Sequence, residues 1–315
     1  MKIALLFPGQ GSQFIGMAKE FVERESACNA VMETAESLCD FPIRKRMFSG
    51  PMEELTRSAV LQPAITVANL VCLQALRQRL SDKVEISCCA GHSLGEYAAL
   101  AAAGVISFED AIRLVERRGF YMGREGERNP GGMRAVLGLG VRDVEMVVNG
   151  YRGDGVVTVA NYNTPQQLVI SGNKTALDIV SEKIKEKGGT IIPLNVSVAN
   201  HSPLVAEAAN DFAAFMKAIP FNKPNVPIYV NVSAGRESDP VEIKRLMARQ
   251  IAAPVRWCEI IQAMLDDGVD TFIETGPKNV LKGMMRRIVP KGKKVTSVQF
   301  DTPDTLDSCL AKTGL

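Results

Sequence analysis

Histidine is scarce in this chain of 315 residues, which contains only His92 and His201. That scarcity excludes multi-histidine metal centres and leaves two candidates for an imidazole base near neutral pH. Charge of one sign is also missing, since 37 Lys and Arg stand against 35 Asp and Glu. A chain whose main task is to grip nucleic acid phosphates is not so evenly balanced, so no nucleic acid partner is expected. The seven cysteines (28, 39, 72, 88, 89, 258 and 309) are odd in number and form no C-x-x-C pair. Neither a disulfide framework nor a zinc site is supported, and no bound metal is expected. No run reaches the ~20 uninterrupted apolar residues of a membrane span. The apolar start, Met1 to Pro8, is too short for a secretion signal and lacks a small-residue cleavage site. A cytoplasmic protein without membrane attachment, with no sign of an obligate oligomer and so a monomer, is the expectation.

What is present is an ordinary globular composition, 46% hydrophobic and 23% charged, long enough for about two domains at ~150 residues each. Lys2 to Phe7 reads as a buried strand closed by Pro8-Gly9-Gln10-Gly11-Ser12, with a helix over Phe14 to Arg24. Val84 to Ala90 repeats the pattern, ending at Gly91-His92-Ser93-Leu94-Gly95 before a helix from Glu96 to Ala103. Val269 to Glu274 is a third strand, followed by a helical pattern over Val280 to Ile288. Strands alternating with helices imply an α/β fold with a parallel sheet.

The middle of the chain follows another plan. Strands at Met133 to Leu139, Gly155 to Asn161, Gln167 to Ser171 and Thr190 to Val196 alternate with helices at Arg142 to Asn149 and Lys174 to Glu186. The order is βαββαβ, that of a ferredoxin-like module. With Asn129-Pro130-Gly131-Gly132 as a hinge, residues 129–197 form an inserted small domain, and residues 1–128 and 198–315 form a discontinuous large domain.

Gly91-His92-Ser93-Leu94-Gly95 matches G-x-S-x-G between a strand and a helix, the context of a nucleophile elbow. The serine hydroxyl sits on a sharp turn at a helix N-terminus, and the Leu94 amide can donate to a developing oxyanion. Such a serine needs a base. His92 is its neighbour on a tight turn and points elsewhere, whereas His201, just beyond the inserted domain, can return over a cleft. The glycine loop at residues 9–11 fails the dinucleotide fingerprint because Phe14 occupies the third glycine position. Such a loop is either a plain tight turn or a means of bringing a backbone N–H, such as that of Gln10, close to a substrate oxygen.

On a helix over Ser107 to Met122, with Ser107 as N-cap, Ala111, Ile112, Leu114, Val115 and Met122 define one apolar face. Arg118 falls near its centre while Arg117 turns ~100° away. A buried arginine needs an anion, which leaves an internal salt bridge or a grip on a substrate carboxylate.

Phe7-Pro8-Gly9-Gln10-Gly11-Ser12-Gln13, Gly91-His92-Ser93-Leu94-Gly95-Glu96-Tyr97, Val115-Glu116-Arg117-Arg118-Gly119, Ala160-Asn161-Tyr162-Asn163-Thr164-Pro165, Asn200-His201-Ser202 and Gln250 ahead of Pro254-Val255-Arg256-Trp257 resemble the malonyl-CoA:acyl carrier protein transacylases. The motifs follow that family's order over essentially the whole chain. The resemblance implies an α/β-hydrolase-like large domain with a ferredoxin-like insert, and a Ser93–His201 dyad whose histidine is oriented by the main-chain carbonyl of Gln250. It also implies an oxyanion hole from the amides of Gln10 and Leu94, and Arg118 on the malonyl carboxylate. Malonyl would pass from malonyl-CoA through Ser93 to the phosphopantetheine thiol of holo acyl carrier protein, with no cofactor beyond the CoA thioester substrate and the partner's own phosphopantetheine. Asn200 departs from the Ser or Phe often found before the histidine, a position associated with acyl choice, so malonyl and methylmalonyl both stay open.

An acidic carrier protein would be steered by a basic patch. Lys282, Arg286, Arg287, Lys291, Lys293 and Lys294 are the densest cluster, with Arg44-Lys45-Arg46 second. The alternatives are a free-standing acyltransferase loading polyketide synthase carriers, a serine hydrolase or thioesterase using the same elbow, and a non-catalytic carrier-binding module.

Overall fold

The computed structural model describes every residue except 82 and 197. Among the described residues the strands of its two sheets are, in chain order, β1 (Ile3–Phe7), β2 (Ile86–Gly91), β3 (Gly131–Leu137), β4 (Val157–Thr164), β5 (Gln167–Asn173), β6 (Thr190–Pro193), β7 (Ile228–Tyr229), β8 (Arg236–Glu237), β9 (Thr271–Thr275) and β10 (Thr296–Phe300). The larger sheet has the order β10-β9-β1-β2-β7-β8. Its first five strands pair in parallel, as expected, and only the two-residue edge strand β8 runs antiparallel to β7.

All five residues of β1 are buried because the strand pairs on both edges and is covered on both faces. Period-2 alternation sends Ile3, Leu5 and Phe7 into one core and Ala4 and Leu6 into another. Each large side chain so buried contributes about 1.5–3 kcal/mol. The first core includes the helix Ser58–Arg79; the second includes Trp257–Asp266 and Val280–Ile288. Ser58–Arg79 has the length and apolarity to cross a membrane, but most of it lies inside the protein core.

The smaller sheet has the order β4-β5-β3-β6 and is antiparallel throughout. Two helices, Val141–Asn149 and Lys174–Glu186, pack on it through Val144, Val148, Leu177, Val180 and Ile184. The βαββαβ order read from the sequence is therefore present. The expected hinge is not: Gly131 and Gly132 are the first residues of β3, paired with Asn173 and Gly172. β6 stops at Pro193 rather than Val196, and residue 197, the expected end of the insert, lies outside the described residues. The first expected helix begins only at Lys19, because Gly16 and Ala18 adopt left-handed φ of 96° and 63°.

The smaller sheet is tied, beside the site described below, to the segment between the helices Pro240–Arg249 and Trp257–Asp266. Val255 donates its N–H to the carbonyl of Ala160 and accepts from the N–H of Tyr162, both at 2.8 Å. This stitch carries Asn161 and Asn163 over the end of β2.

Candidate active site

Ser93 lies between the end of β2 and the helix Gly95–Ala102 with φ of 48°, left-handed for a non-glycine residue. Two glycines permit the bend. A Cβ on Gly91 would stand 2.0 Å from the Gly95 carbonyl carbon, and one on Gly95 would stand 2.0 Å from the Phe7 oxygen. Both main-chain groups of Ser93 are pinned: its N–H donates to Asn231 Oδ1 at 2.7 Å, and its carbonyl accepts from Gln250 Nε2 at 2.7 Å.

Ser93 Oγ lies 2.8 Å from His201 Nε2. His201 is itself left-handed, at φ of 57°, and its N–H is anchored on the Ile251 carbonyl at 3.0 Å. Its Nδ1 faces two main-chain carbonyls, Gln250 at 3.1 Å and Ala253 at 2.8 Å. The expected Gln250 carbonyl is present, but the carbonyl of Ala253 is closer and shares the contact. Carbonyls only accept, so Nδ1 carries the proton and Nε2 presents a lone pair to the serine hydroxyl. Burial, reinforced by the nearby Arg118 charge, pushes the His201 pKa down to about 3. The imidazole is therefore neutral, and thus a proton acceptor, throughout the physiological range. In the unfolded chain histidine titrates near 6.5. Acidification from that value towards 3 thus charges the unfolded state first and lowers stability as pH falls.

His92 turns the other way. Its Nε2 bonds to Asn163 Oδ1 at 2.8 Å, and its ring packs edge-on against Trp257 at 5.5 Å.

Arg118, on the helix Phe108–Arg128, is 2% exposed. Ser107 caps that helix as expected, accepting from the Asp110 N–H at 3.0 Å. The guanidinium donates to Gln62 Oε1 at 2.7 Å, to Gln250 Oε1 at 3.1 Å and to Ser93 Oγ at 3.3 Å. It lies 5.7 Å over the Tyr97 ring, and its Nε has no partner among the described residues. No carboxylate forms an ion pair with it there, so the internal salt bridge left open by the sequence is absent among the described residues. Burial pulls its pKa below the usual arginine value, without neutralising a group that titrates so high.

A cavity of about 240 Å³ opens in front of the dyad, lined among others by Gln10, Ser93, Asn161, Asn200 and His201. Asn161 and Asn200 are buried there with side-chain oxygens unpaired among the described residues. A second space of about 340 Å³ continues from it along Gln10, Asn195 and Asn200 to Arg57. The amides of Gln10 and Leu94 donate to no other group among the described residues, which leaves both N–H groups for a ligand oxygen. No group of three or more His, Cys, Asp or Glu that could hold a metal ion occurs among the described residues.

Sequence reasoning missed Asn231, Gln62 and Ala253, all distant in the chain from the groups they hold, and quoted Asn163 only within a motif. It treated Glu96 in the same way. A lone carboxylate in the run Glu-Tyr-Ala-Ala-Leu-Ala-Ala was a signal that it is held inside.

The geometry sets an expectation for His201. In ¹⁵N-resolved NMR its ring should stay neutral and protonated on Nδ1 from about pH 8 down to about pH 5. A titration midpoint between 6 and 7 would contradict the burial argument.

A family model described as "Acyl transferase domain" matches residues 4–306. The chain is 36% identical over 308 residues to a malonyl CoA-acyl carrier protein transacylase of Bacillus subtilis, covering 97% of this chain and 95% of that one. Its structure resembles that of an acyl-carrier-protein S-malonyltransferase from Bartonella henselae, with a TM-score of 0.94, 35% identity and all of both chains covered. It likewise resembles a malonyl-transacylase solved in complex with its type II polyketide synthase acyl-carrier protein, with a TM-score of 0.93, 32% identity and 99% and 100% coverage. The chain belongs to the malonyl-CoA:acyl carrier protein transacylase family of acyl transferases.

Proposed function

We propose that this enzyme transfers the malonyl group from malonyl-CoA to the phosphopantetheine thiol of holo acyl carrier protein through a malonyl-Ser93 ester, supplying fatty acid elongation. The observation that carries this reading is the buried Arg118, free of an ion pair among the described residues, at 3.3 Å from a serine hydroxyl that is 2.8 Å from a neutral imidazole. A hydrolase of uncharged acyl groups has no use for that cation. The relatives' names point the same way.

In the first half-reaction Ser93 Oγ attacks the thioester carbon and its proton passes to His201 Nε2. The tetrahedral oxyanion accepts from the Gln10 and Leu94 amides, the C–S bond breaks, and His201 returns the proton to the CoA sulfur. The carrier's thiol then repeats the sequence in reverse, giving its proton to His201 as its sulfur attacks the ester and Ser93 leaves. The base supplies about 10²–10⁴ in rate, and an oxyanion donor about 2.7–4 kcal/mol. Hydrogen bonds from Arg118 to the malonyl carboxylate contribute about 1.5–3 kcal/mol each.

The βαββαβ order and the strand order of the smaller sheet support a ferredoxin-like small domain over residues 129–197, inserted into an α/β-hydrolase-like catalytic domain formed by 1–128 and 198–315. Seven unpaired, buried cysteines support a cytoplasmic location, and we expect a monomer with no cofactor of its own. The polyketide-linked relative keeps a second reading in view, in which the carrier belongs to a polyketide synthase and the chemistry at Ser93 is the same.

The reading is tested by intact-protein mass spectrometry after mixing with malonyl-CoA and acetyl-CoA in competition. Wild type should gain a malonyl adduct and Ser93→Ala none, while Arg118→Ala should lower the malonyl-to-acetyl ratio about 10- to 100-fold. An unchanged ratio would remove Arg118 from carboxylate recognition.

Arg286 and Arg287 are exposed at the end of the helix Val280–Ile288, and with Lys282 they form no ion pair among the described residues. We assign carrier docking to this basic face. Reversing both arginines to glutamate should slow transfer to the acidic carrier about 10-fold or more at low salt, and less at high salt. Malonyl-enzyme formation from malonyl-CoA should hold its wild-type rate, and carrier transfer at an unaltered rate would refute the assignment.

A further inference from the structure

The side chain of Glu96 is completely buried on the helix Gly95–Ala102, one turn beyond the nucleophile, and belongs to no step of the proposed reaction. Its two oxygens are both engaged. Oε1 accepts from the main-chain N–H of Asn231 at 2.7 Å, and Oε2 accepts from Gln250 Nε2 at 3.0 Å. Each of those partners in turn holds the reacting serine. Asn231 Oδ1 receives the Ser93 N–H at 2.7 Å, with Asn231 Nδ2 anchored on the Gly91 carbonyl at 2.7 Å. Gln250 Nε2 reaches the Ser93 carbonyl at 2.7 Å. The Gln250 amide has one oxygen and one nitrogen to offer. With its nitrogen held by Glu96 and Ser93, its oxygen faces Arg118 at 3.1 Å, and its main-chain carbonyl meets His201 Nδ1 at 3.1 Å.

We infer that Glu96 is the positioning residue of this site: as a two-oxygen acceptor it fixes Asn231 and sets the orientation of the Gln250 amide, and through them it aligns Ser93 and Arg118. This inference rests on the acyl-serine reading above. The logic is one of donors and acceptors. Asn231 presents a main-chain N–H and Gln250 an NH₂, so only a group that accepts on both oxygens satisfies both. A neutral group in the same volume, whether a protonated carboxyl or a glutamine, turns one donor towards another. The Gln250 amide must then give up Glu96 or flip. A flip sets its NH₂ against the Arg118 guanidinium and its oxygen against the Ser93 carbonyl, and both contacts are repulsive. Arg118 and Glu96 are thus linked through one amide, the carboxylate standing near the buried cation without pairing with it.

Burial raises the Glu96 pKa from 4.5 to about 7. The charged and titratable groups facing it are Arg118 from the helix Phe108–Arg128 and Tyr97 beside it on its own helix, whereas Asn231 and Gln250 present neutral groups. Glu96 is therefore a proton acceptor above about pH 7 and a misfit donor below it, while His201 stays neutral over the same range. An acid limb near pH 7 in the acylation rate then belongs to Glu96.

The test is the single-turnover rate of malonyl-enzyme formation from malonyl-CoA between about pH 5.5 and pH 8.5, followed by quenched intact-protein mass spectrometry. Wild type should lose rate as pH falls through about 7. Glu96→Gln should be slower by about 10- to 100-fold at pH 8.5 and flat with pH, as a displaced reacting group predicts. Should that variant fail to fold, Gln250→Leu keeps the His201 carbonyl contact but cuts the link from its other end, and it too should flatten the profile. Wild-type rate and an intact limb in Glu96→Gln, or a limb that survives in Gln250→Leu, would overturn the inference while leaving the acyl-serine reading standing. Absence of any malonyl adduct on wild type would overturn both.

Discussion

Everything in this site depends on the tight passage between β2 and the helix Gly95–Ala102, where the chain reverses over one strained serine. A left-handed non-glycine residue is held at a penalty of about 1–3 kcal/mol. The fold offsets it by closing hydrogen bonds on both main-chain groups of Ser93 from Asn231 and Gln250, residues far along the chain. The strain has a use: it turns the hydroxyl towards His201, while the Gln10 and Leu94 amides donate to no group among the described residues. β1 and β2, paired in parallel, bring the Gln10 loop and the elbow to the same sheet edge, which is where the proposed oxyanion donors stand.

Burial does different work on three ionisable groups within this small volume. It keeps His201 neutral with a free lone pair at Nε2, lifts the Glu96 carboxyl towards neutrality, and leaves Arg118 charged because arginine titrates too high to yield. The result is a cation whose nearest counter-charge is reached only through the Gln250 amide. In the proposed reading a dicarboxylic thioester brings the missing anion, whereas a simple acyl thioester leaves the guanidinium as it was. In this account selectivity comes from an electrostatic vacancy beside the nucleophile, more than from the shape of the cavity.

Much of this was legible in the chain because the chemistry is locally encoded. G-x-S-x-G marks the elbow, the scarcity of histidine leaves His201 as the base, and a 3.6-residue period points Arg118 inwards. The alternation of β1 and the βαββαβ order were readable for the same reason: periodicities of 2.0 and 3.6 survive in any single segment. Strand ends were not, since Gly131 and Gly132 look like a hinge until Gly172 is seen beside them, and β6 ends where its pairing to β3 ends. The residues that hold the site were hidden for a related reason. Asn231 stands 138 positions from Ser93, Gln62 stands 56 from Arg118 and Ala253 stands 52 from His201, and none belongs to a pattern that any one segment displays. Glu96 was quoted only as part of a motif, although an acidic residue in an alanine-rich helix, where burial without a purpose would be costly, carried a local signal.

The central claim is that the serine ester formed here is meant for a thiol and not for water. Its most direct test is the fate of purified malonyl-enzyme freed of CoA and divided in two, one half left in buffer and the other given holo acyl carrier protein, with both followed by intact mass. The account predicts that the ester persists in buffer while the carrier gains the malonyl mass as the enzyme loses it. Equal loss in both halves, with the carrier unmodified, would contradict it and make the protein a hydrolase.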